Sequence, residues 1–445
     1  LGQRLRSHFV AGVSEFGKHV GNMKKPVLSL QPTRSLLLSL CGALASAAPC
    51  LASTEAADET AAAPEAATAM ESRPVIMFTD GDLERMRRRV ASGEAPWDAA
   101  WRDLEMRADA CVKRPPSPSA SGDFRELVKL LIDDGRRAKF AALAWQATGD
   151  TIYRDAAIDY LMAWAAPDDP PLGSVIAAGS TVGIAPRDTA GVGLHWSKAV
   201  LHWAEAYALV FDALTGAQRA TAREWFGRMV FPIMASRETW IAWRYFNLQL
   251  YNNHLSEQNI GLLCLGLVLG RDDLVEYVVA SEENPRDLAE MIDGAILMPE
   301  RPDSQFFRGD PSRECRAGEI YDRYRVTDHF GDGSGDDKGI NYALAHTWMM
   351  LHVARIADNN GLGDSFQHTG PFGQNLSLPL IYYAPAFVEG DPAALGDYYA
   401  NSRYEPDAWN HIAIYEIGHR HYPDVPAITE ALRHGNRLAN SPRHG

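Results

Sequence analysis

The sequence predicts an all-α protein, an incomplete (α/α) toroid built from helical hairpins. Three observations predict it. Apolar residues recur at spacings of three and four over most of the chain, the period of an amphipathic helix. The helices come in pairs joined by short turns rich in Gly, Thr or Asn. The pairs are irregular in period, which argues against a regular solenoid and for hairpins that curve around a central cleft. A plain helical bundle shares most of these signals, so the inter-helix loops carry the distinction.

The chain has 445 residues, 46% hydrophobic and 22% charged, an ordinary globular balance with enough apolar mass for a large core. Its first part does not read as part of that core. Residues 1–52 form a leader. Met23-Lys24-Lys25 and Arg34 make a basic flank, Ser35 to Ala48 is an apolar run, and small residues follow in the order of a secretory signal. Residues 53–73 are rich in Ala, Glu and Thr and read as a low-complexity linker. Residues 74–445 then form one helical catalytic domain. The expected location is the periplasm or the exterior of a bacterium, with no membrane span in the mature chain.

Charge excludes some partners. The whole chain carries a net charge of −14, and loss of residues 1–52 removes six basic residues and one acid. Such an acidic body is a poor nucleic-acid binder. Any polyanionic ligand needs a locally basic cleft. Three cysteines lie beyond the leader, Cys111, Cys264 and Cys315, and do not make a disulfide framework.

The helical domain opens with Val75-Ile76-Met77-Phe78 extended, then Thr79 and Asp82 at the spacing of a capping box. Four apolar helices then end in turns. They are Phe140 to Trp145 before Thr148-Gly149-Asp150, and Tyr207 to Phe211 before Leu214-Thr215-Gly216. The third is Ile260 to Leu269 before Gly270-Arg271-Asp272, and the fourth is Trp348 to Val353 before Asn359-Asn360-Gly361. Two stretches break the helical period: 167–193, and 298–337 with its Gly331 to Asp337 run. Loops this long inside a compact domain usually carry function, and the second reads as an active-site loop.

The chemistry concentrates in two short motifs, Asn252-Asn253-His254 and Lys338-Gly339-Ile340-Asn341-Tyr342. An asparagine at this boundary also suits a helix cap, and the histidine a structural role. The tyrosine also suits packing at a helix start. Trp243, Arg244, Gln249 and Gln258 flank the first motif with groups suited to sugar stacking and hydroxyl contacts. His346 follows Tyr342 by one turn and shares its helix face. Lys338 precedes it by four residues and faces the same side, and His195-Trp196, with Arg187, reads as another wall of the cleft or, equally, Trp196 as a core residue.

Together these motifs resemble the alginate lyase family and related α/α-toroid polyuronate lyases, including glucuronan lyases. The family combines an Asn-Asn-His motif with a later helix-opening Tyr, matched here by Asn252-Asn253-His254 and Gly339-Ile340-Asn341-Tyr342-Ala343. The segment Gly318 to Arg325 resembles the preceding loop motif of the more distant relatives. Phe78-Thr79, Asp82-Leu83 and Ala95-Pro96-Trp97 resemble the family's opening helices. Two features differ from the best-known subgroup. Leu255-Ser256-Glu257 stands where a Trp follows the Asn-His pair, and Gly335-Asp336-Asp337-Lys338 stands where an Arg precedes the Tyr. Alginate itself is therefore one of several candidate polyuronates.

The resemblance implies β-elimination on a uronate. Asn253, helped by Arg325 or Arg323, neutralises the carboxylate and stabilises the enolate-like state formed when the C5 proton leaves. His254 takes that proton. Tyr342 protonates the leaving O4, and for the other sugar epimer one tyrosine can do both jobs. The implied partner is an anionic poly- or oligosaccharide, and no redox or nucleotide cofactor is implied. The run Asp332 to Asp337 lacks the glycine and the final acid of a calcium loop, and His419-Arg420-His421 lacks a zinc-site pattern, so no metal is expected. Two other readings stay open. One is a uronate-oligosaccharide hydrolase using paired carboxylates among Asp310, Glu314, Glu319 and Asp322. The other is a non-catalytic polysaccharide-binding protein on the same scaffold.

Overall fold

A computed structural model describes residues 72–118, 124–166, 186–243, 251–300, 315–321, 339–396, 399, 411–435 and 437. All of them lie in one compact unit, residues 70–445.

The described residues contain thirteen α-helices and no strand. They are α1 (Asp80–Ser92), α2 (Trp97–Val112), α3 (Phe124–Thr148), α4 (Thr151–Ala165), α5 (Pro186–Val210), α6 (Gly216–Trp243) and α7 (Asn253–Leu269). There follow α8 (Asp272–Val279), α9 (Leu288–Ala295), α10 (Gly339–Asn359), α11 (Ser377–Glu389), α12 (Ala413–His421) and α13 (Pro426–His434). The expected hairpin turns are where the sequence puts them. Gly149 (φ 76°) and Gly270 (φ 65°) take the left-handed conformation that ends α3 and α7, and the Asp150 carboxylate caps α4 by accepting from Ile152 N at 3.0 Å. The capping box of α1 also forms, with Thr79 and Asp82 exchanging side-chain and backbone bonds.

The helices sort into two layers. Helices α3, α5, α7 and α10 pack on one another in that order, while α4, α6 and α8 lie outside them. This is the layering of an (α/α) toroid. Burial gives the reason: α7 and α10 are buried on nearly all sides, as inner helices are. Small residues let the inner helices approach. A Cβ at Gly193 on α5 would lie 2.6 Å from Ser236 of α6, and one at Gly261 on α7 would lie 2.5 Å from Ser197 of α5.

The inner helices run in the same direction. From α5 to α7 the contacts step from Gly193–Gln258 to Ser197–Gly261. From α3 to α5 they step from Leu131–Trp203 through Lys139–Glu205 to Gln146–Leu209. Both sets advance along both partners, so the N-termini of α3, α5 and α7 share one end of the layer. Cys111, Cys264 and Cys315 are buried. No helix among the described residues is long and apolar enough to cross a membrane.

Candidate active site

Helix α7 starts one residue earlier than the histidine. Asn252 is its N-cap, and the Asn252 carbonyl oxygen of the side chain accepts from His254 N at 2.8 Å. The capping role expected of an asparagine here thus falls on Asn252, and Asn253 and His254 form the first helical turn. The chain just before them is pinned. The Tyr251 ring lies flat against the α9 backbone, where a Cβ at Gly294 would meet it at 1.8 Å. The Arg286 guanidinium sits 4.2 Å from the centroid of this ring, and Tyr321 meets Tyr251 edge-on at 6.0 Å.

The buried Arg237 of α6 fixes the other side of this corner. It donates to Leu255 O at 3.0 Å, to Asn284 Oδ1 at 2.6 Å and to Arg286 O at 2.7 Å. Asn259 donates to the same Arg286 carbonyl at 3.0 Å. Three backbone carbonyl or amide acceptors around one guanidinium hold the start of α7 on the 284–286 turn. The His254 imidazole stacks on Trp240 of α6, with centroids 4.4 Å apart and planes inclined by 21°.

Tyr342 occupies the first turn of α10, as expected for a helix-opening tyrosine. One turn further, His346 Nε2 lies 2.8 Å from Ser256 Oγ of α7, and both residues are fully buried. Tyr342 shares its helix face with His346, and Asn253 shares its face with Ser256. The bond therefore ties the first turn of α7 to the second turn of α10, one turn below Tyr342.

Burial along these helices is uneven in one informative way. From Asn253 to Gly266 every residue is buried except His254, and from Gly339 to Ala357 every residue is buried except Tyr342. The two inner helices reach solvent through these two side chains, each in a first turn. Helix N-termini carry partial positive charge, so an anionic group there is favoured.

Several residues expected at the site have other tasks. Gln258 is fully buried and donates to Ser236 Oγ at 3.2 Å, while Gly193 N donates to the same oxygen at 2.9 Å. It joins three helices and cannot touch a sugar. Trp196 is 1% exposed and belongs to the core, because α5 is an inner helix, so it is no cleft wall. Its neighbour His195 is exposed. His346 is too deep to bind substrate but is placed to orient its helix. Trp243 closes α6, and its side chain lies outside the described residues, as do Arg244, Arg323, Arg325 and Lys338.

Among the hydrolase candidates, Glu319 is consumed structurally. Its carboxylate accepts from Tyr382 at 2.9 Å, Tyr399 at 3.3 Å and Arg316 N at 2.8 Å. Its backbone carbonyl accepts from Leu297 N at 2.7 Å. Asp310, Glu314 and Asp322 lie outside the described residues. The Glu319 anchor still matters for the site, since it fixes Tyr321, two residues before Arg323, beside Tyr251.

The alginate lyase family model matches residues 96–296. Residues 96–296 belong to the alginate lyase family. This alginate lyase region runs from the start of α2 to the end of α9 and contains Asn252-Asn253-His254; Tyr342 lies beyond it. An alginate lyase from Bacteroides ovatus shares the fold at TM-score 0.56, with 16% identity over 83% of this chain and 98% of that one. Alginate lyase A1-III from Sphingomonas species A1 aligns at TM-score 0.50 and 14% identity, over 81% and 95%. A histidine variant of A1-III complexed with a tetrasaccharide aligns at 0.51 and 13%, over 81% and 94%. The curated proteins give no match. The chain has the (α/α) toroid fold of these alginate lyases.

Sequence reasoning missed Trp240, Ser256 and Arg237. Each acts between helices, and no spacing rule pairs residues 14 or 90 positions apart.

Proposed function

We propose that the protein cuts a 1,4-linked polyuronate, of alginate, polymannuronate or glucuronan type, by β-elimination. The observation that carries the proposal is the opening of two buried helices to solvent at His254 and Tyr342 alone among their inner stretches. A base and an acid on neighbouring first turns are what an elimination across C4 and C5 requires. Asn253, next to His254 in sequence, neutralises the substrate carboxylate with help from the positive ends of α7 and α10. His254 removes the C5 proton, the C4–O4 bond breaks, and Tyr342 delivers a proton to O4. The product carries a C4–C5 double bond conjugated with its carboxylate.

Arg325 or Arg323 supplies the remaining positive charge. Support comes from Tyr321, which is fixed against Tyr251 immediately before the Asn252 cap. Stacking on Trp240 holds the imidazole plane, so proton abstraction needs little reorganisation. An oligosaccharide as ligand is supported by the tetrasaccharide complex of the A1-III variant. The leader at 1–52 would deliver the enzyme to the periplasm.

The test uses purified protein with alginate, polymannuronate and glucuronan while ultraviolet absorbance is followed at the band of a conjugated uronate. Rising absorbance on one of them supports the proposal and names the polymer. New reducing ends without absorbance would instead show a hydrolase, and binding without either would show a non-catalytic protein.

A further inference from the structure

A second cavity lies at the far end of α10. Arg355 follows Tyr342 by thirteen residues on the same helix, which is about 20 Å along its axis at ~1.5 Å per residue. The cavity encloses about 430 Å³ between α1, α2 and α12, within the size range of small-molecule sites. Phe78 and Met86 give it an apolar floor. Trp97 and Trp101 line it from α2, and Arg85, Arg89, Arg355 and Arg420 line it from three elements.

The charges do not cancel. Asp82 faces three of these arginines, bonding Arg355 at 2.9 Å and also Arg85 and Arg420. Burial alone would raise the Asp82 carboxyl, but the Thr79 hydroxyl and Arg420 hold it well below the usual range, so it stays ionised. The cavity's other acid, Glu416, is matched from outside by Arg437, with bonds of 2.5 and 3.0 Å. Arg89 makes no ion pair among the described residues and stacks on Trp97 at 3.8 Å. Arg355 also meets Asp358 at 3.4 Å, so four guanidiniums face two carboxylates, Asp82 and Asp358, and the cavity stays basic in a chain of net charge −14.

Guanidiniums with a stacked indole beside an apolar floor suit a ligand that is anionic at one group and has an apolar ring face. A uronate residue has both: its carboxylate meets Arg89 and Arg420, and its C–H face meets Trp101. The geometry points to an accessory site for a uronate oligosaccharide, separate from the catalytic end and made by the N-terminal hairpin and α12. It rests on the polyuronate reading for the ligand class. Such a site holds a polymer chain on the enzyme between cuts, which raises effective concentration without touching the chemistry.

The test is calorimetric titration of the full chain carrying His254→Ala, so that no turnover occurs, with a uronate trisaccharide of the type the wild-type enzyme cuts, or with trimannuronate and triglucuronate if it cuts none. The expected stoichiometry is two per chain, falling to one when Trp101→Ala or Arg89→Gln is added. Arg89 is exposed, so Arg89→Gln keeps the test valid if Trp101→Ala loosens α2. In the otherwise wild-type enzyme, Arg89→Gln leaves kcat on the trisaccharide unchanged and raises KM for the polymer several-fold. A stoichiometry of one that Arg89→Gln does not alter overturns the site. Inorganic phosphate binding as tightly as the trisaccharide, and lost in the same variant, overturns the saccharide assignment. Absence of turnover by the wild-type enzyme on every polyuronate counts against the lyase reading alone, since the stoichiometry is read independently of turnover.

Discussion

Ser256 and His346, 90 positions apart, meet at 2.8 Å and join the first turn of α7 to the second turn of α10. The bond is fully buried, and the residues one face along from it are Asn253 and Tyr342. The placement of these two candidate site residues thus rests on a polar contact beneath them. Ser256→Ala should lower the melting temperature by the equivalent of about 1–3 kcal/mol and lower kcat roughly tenfold by loosening the approach of the two turns. Retained kcat with the same loss of stability would make the bond purely structural.

Trp240 holds the His254 ring by stacking at 4.4 Å. Replacing it by Leu keeps an apolar side chain in the core but removes the flat surface. Turnover is expected to fall by roughly tenfold with KM little changed, because the base samples more orientations. Steady-state kinetics on the preferred polyuronate separates the two constants.

Arg237 is the buried clamp at the start of α7. Arg237→Met fills similar volume but leaves Leu255 O, Asn284 and Arg286 O without their charged donor. The expected cost is on the order of 3 kcal/mol, read as a lower denaturation midpoint. A variant as stable as the wild type would show that the corner is held by packing alone.

Glu257 follows His254 by three residues, and its carboxylate is fully buried with no hydrogen-bond partner. Burial pushes it up to about 7 from an ordinary 4.5, against the pull of Lys198. The folded state therefore holds this proton more tightly than the unfolded chain does. Its contribution is greatest below pH 4.5 and is lost as pH rises to about 7, roughly 3 kcal/mol in all. Glu257→Gln, which cannot ionise, should gain stability relative to wild type across that window. Parallel melting curves between pH 4.5 and 8 would contradict this.

Much of the scaffold was legible because it is written locally. Gly149, Gly270 and the Thr79–Asp82 box mark helix ends through backbone conformation and capping, which neighbouring residues decide. The helix-opening positions of His254 and Tyr342 were legible for the same local reason, and so was the shared face of Tyr342 and His346, though not the depth of His346. What failed was depth. Trp196 and Gln258 were expected in the cleft, yet α5 and α7 are inner helices, and the side of an inner helix that faces a neighbour looks the same in sequence as one that faces a cavity. Gln258 reads as a sugar ligand until Ser236, 22 positions away, takes its amide. Trp240 could not be paired with His254, because the pairing depends on how α6 crosses α7.

The central claim is that His254 and Tyr342 act as base and acid at the two points where buried helices reach solvent. It is tested most directly by the initial rate of conjugated-uronate formation in His254→Ala and Tyr342→Phe, both checked for wild-type melting. Each variant is predicted to lose roughly 10²-fold or more in kcat, with binding of the polymer retained. Near-wild-type turnover in both variants would contradict the assignment.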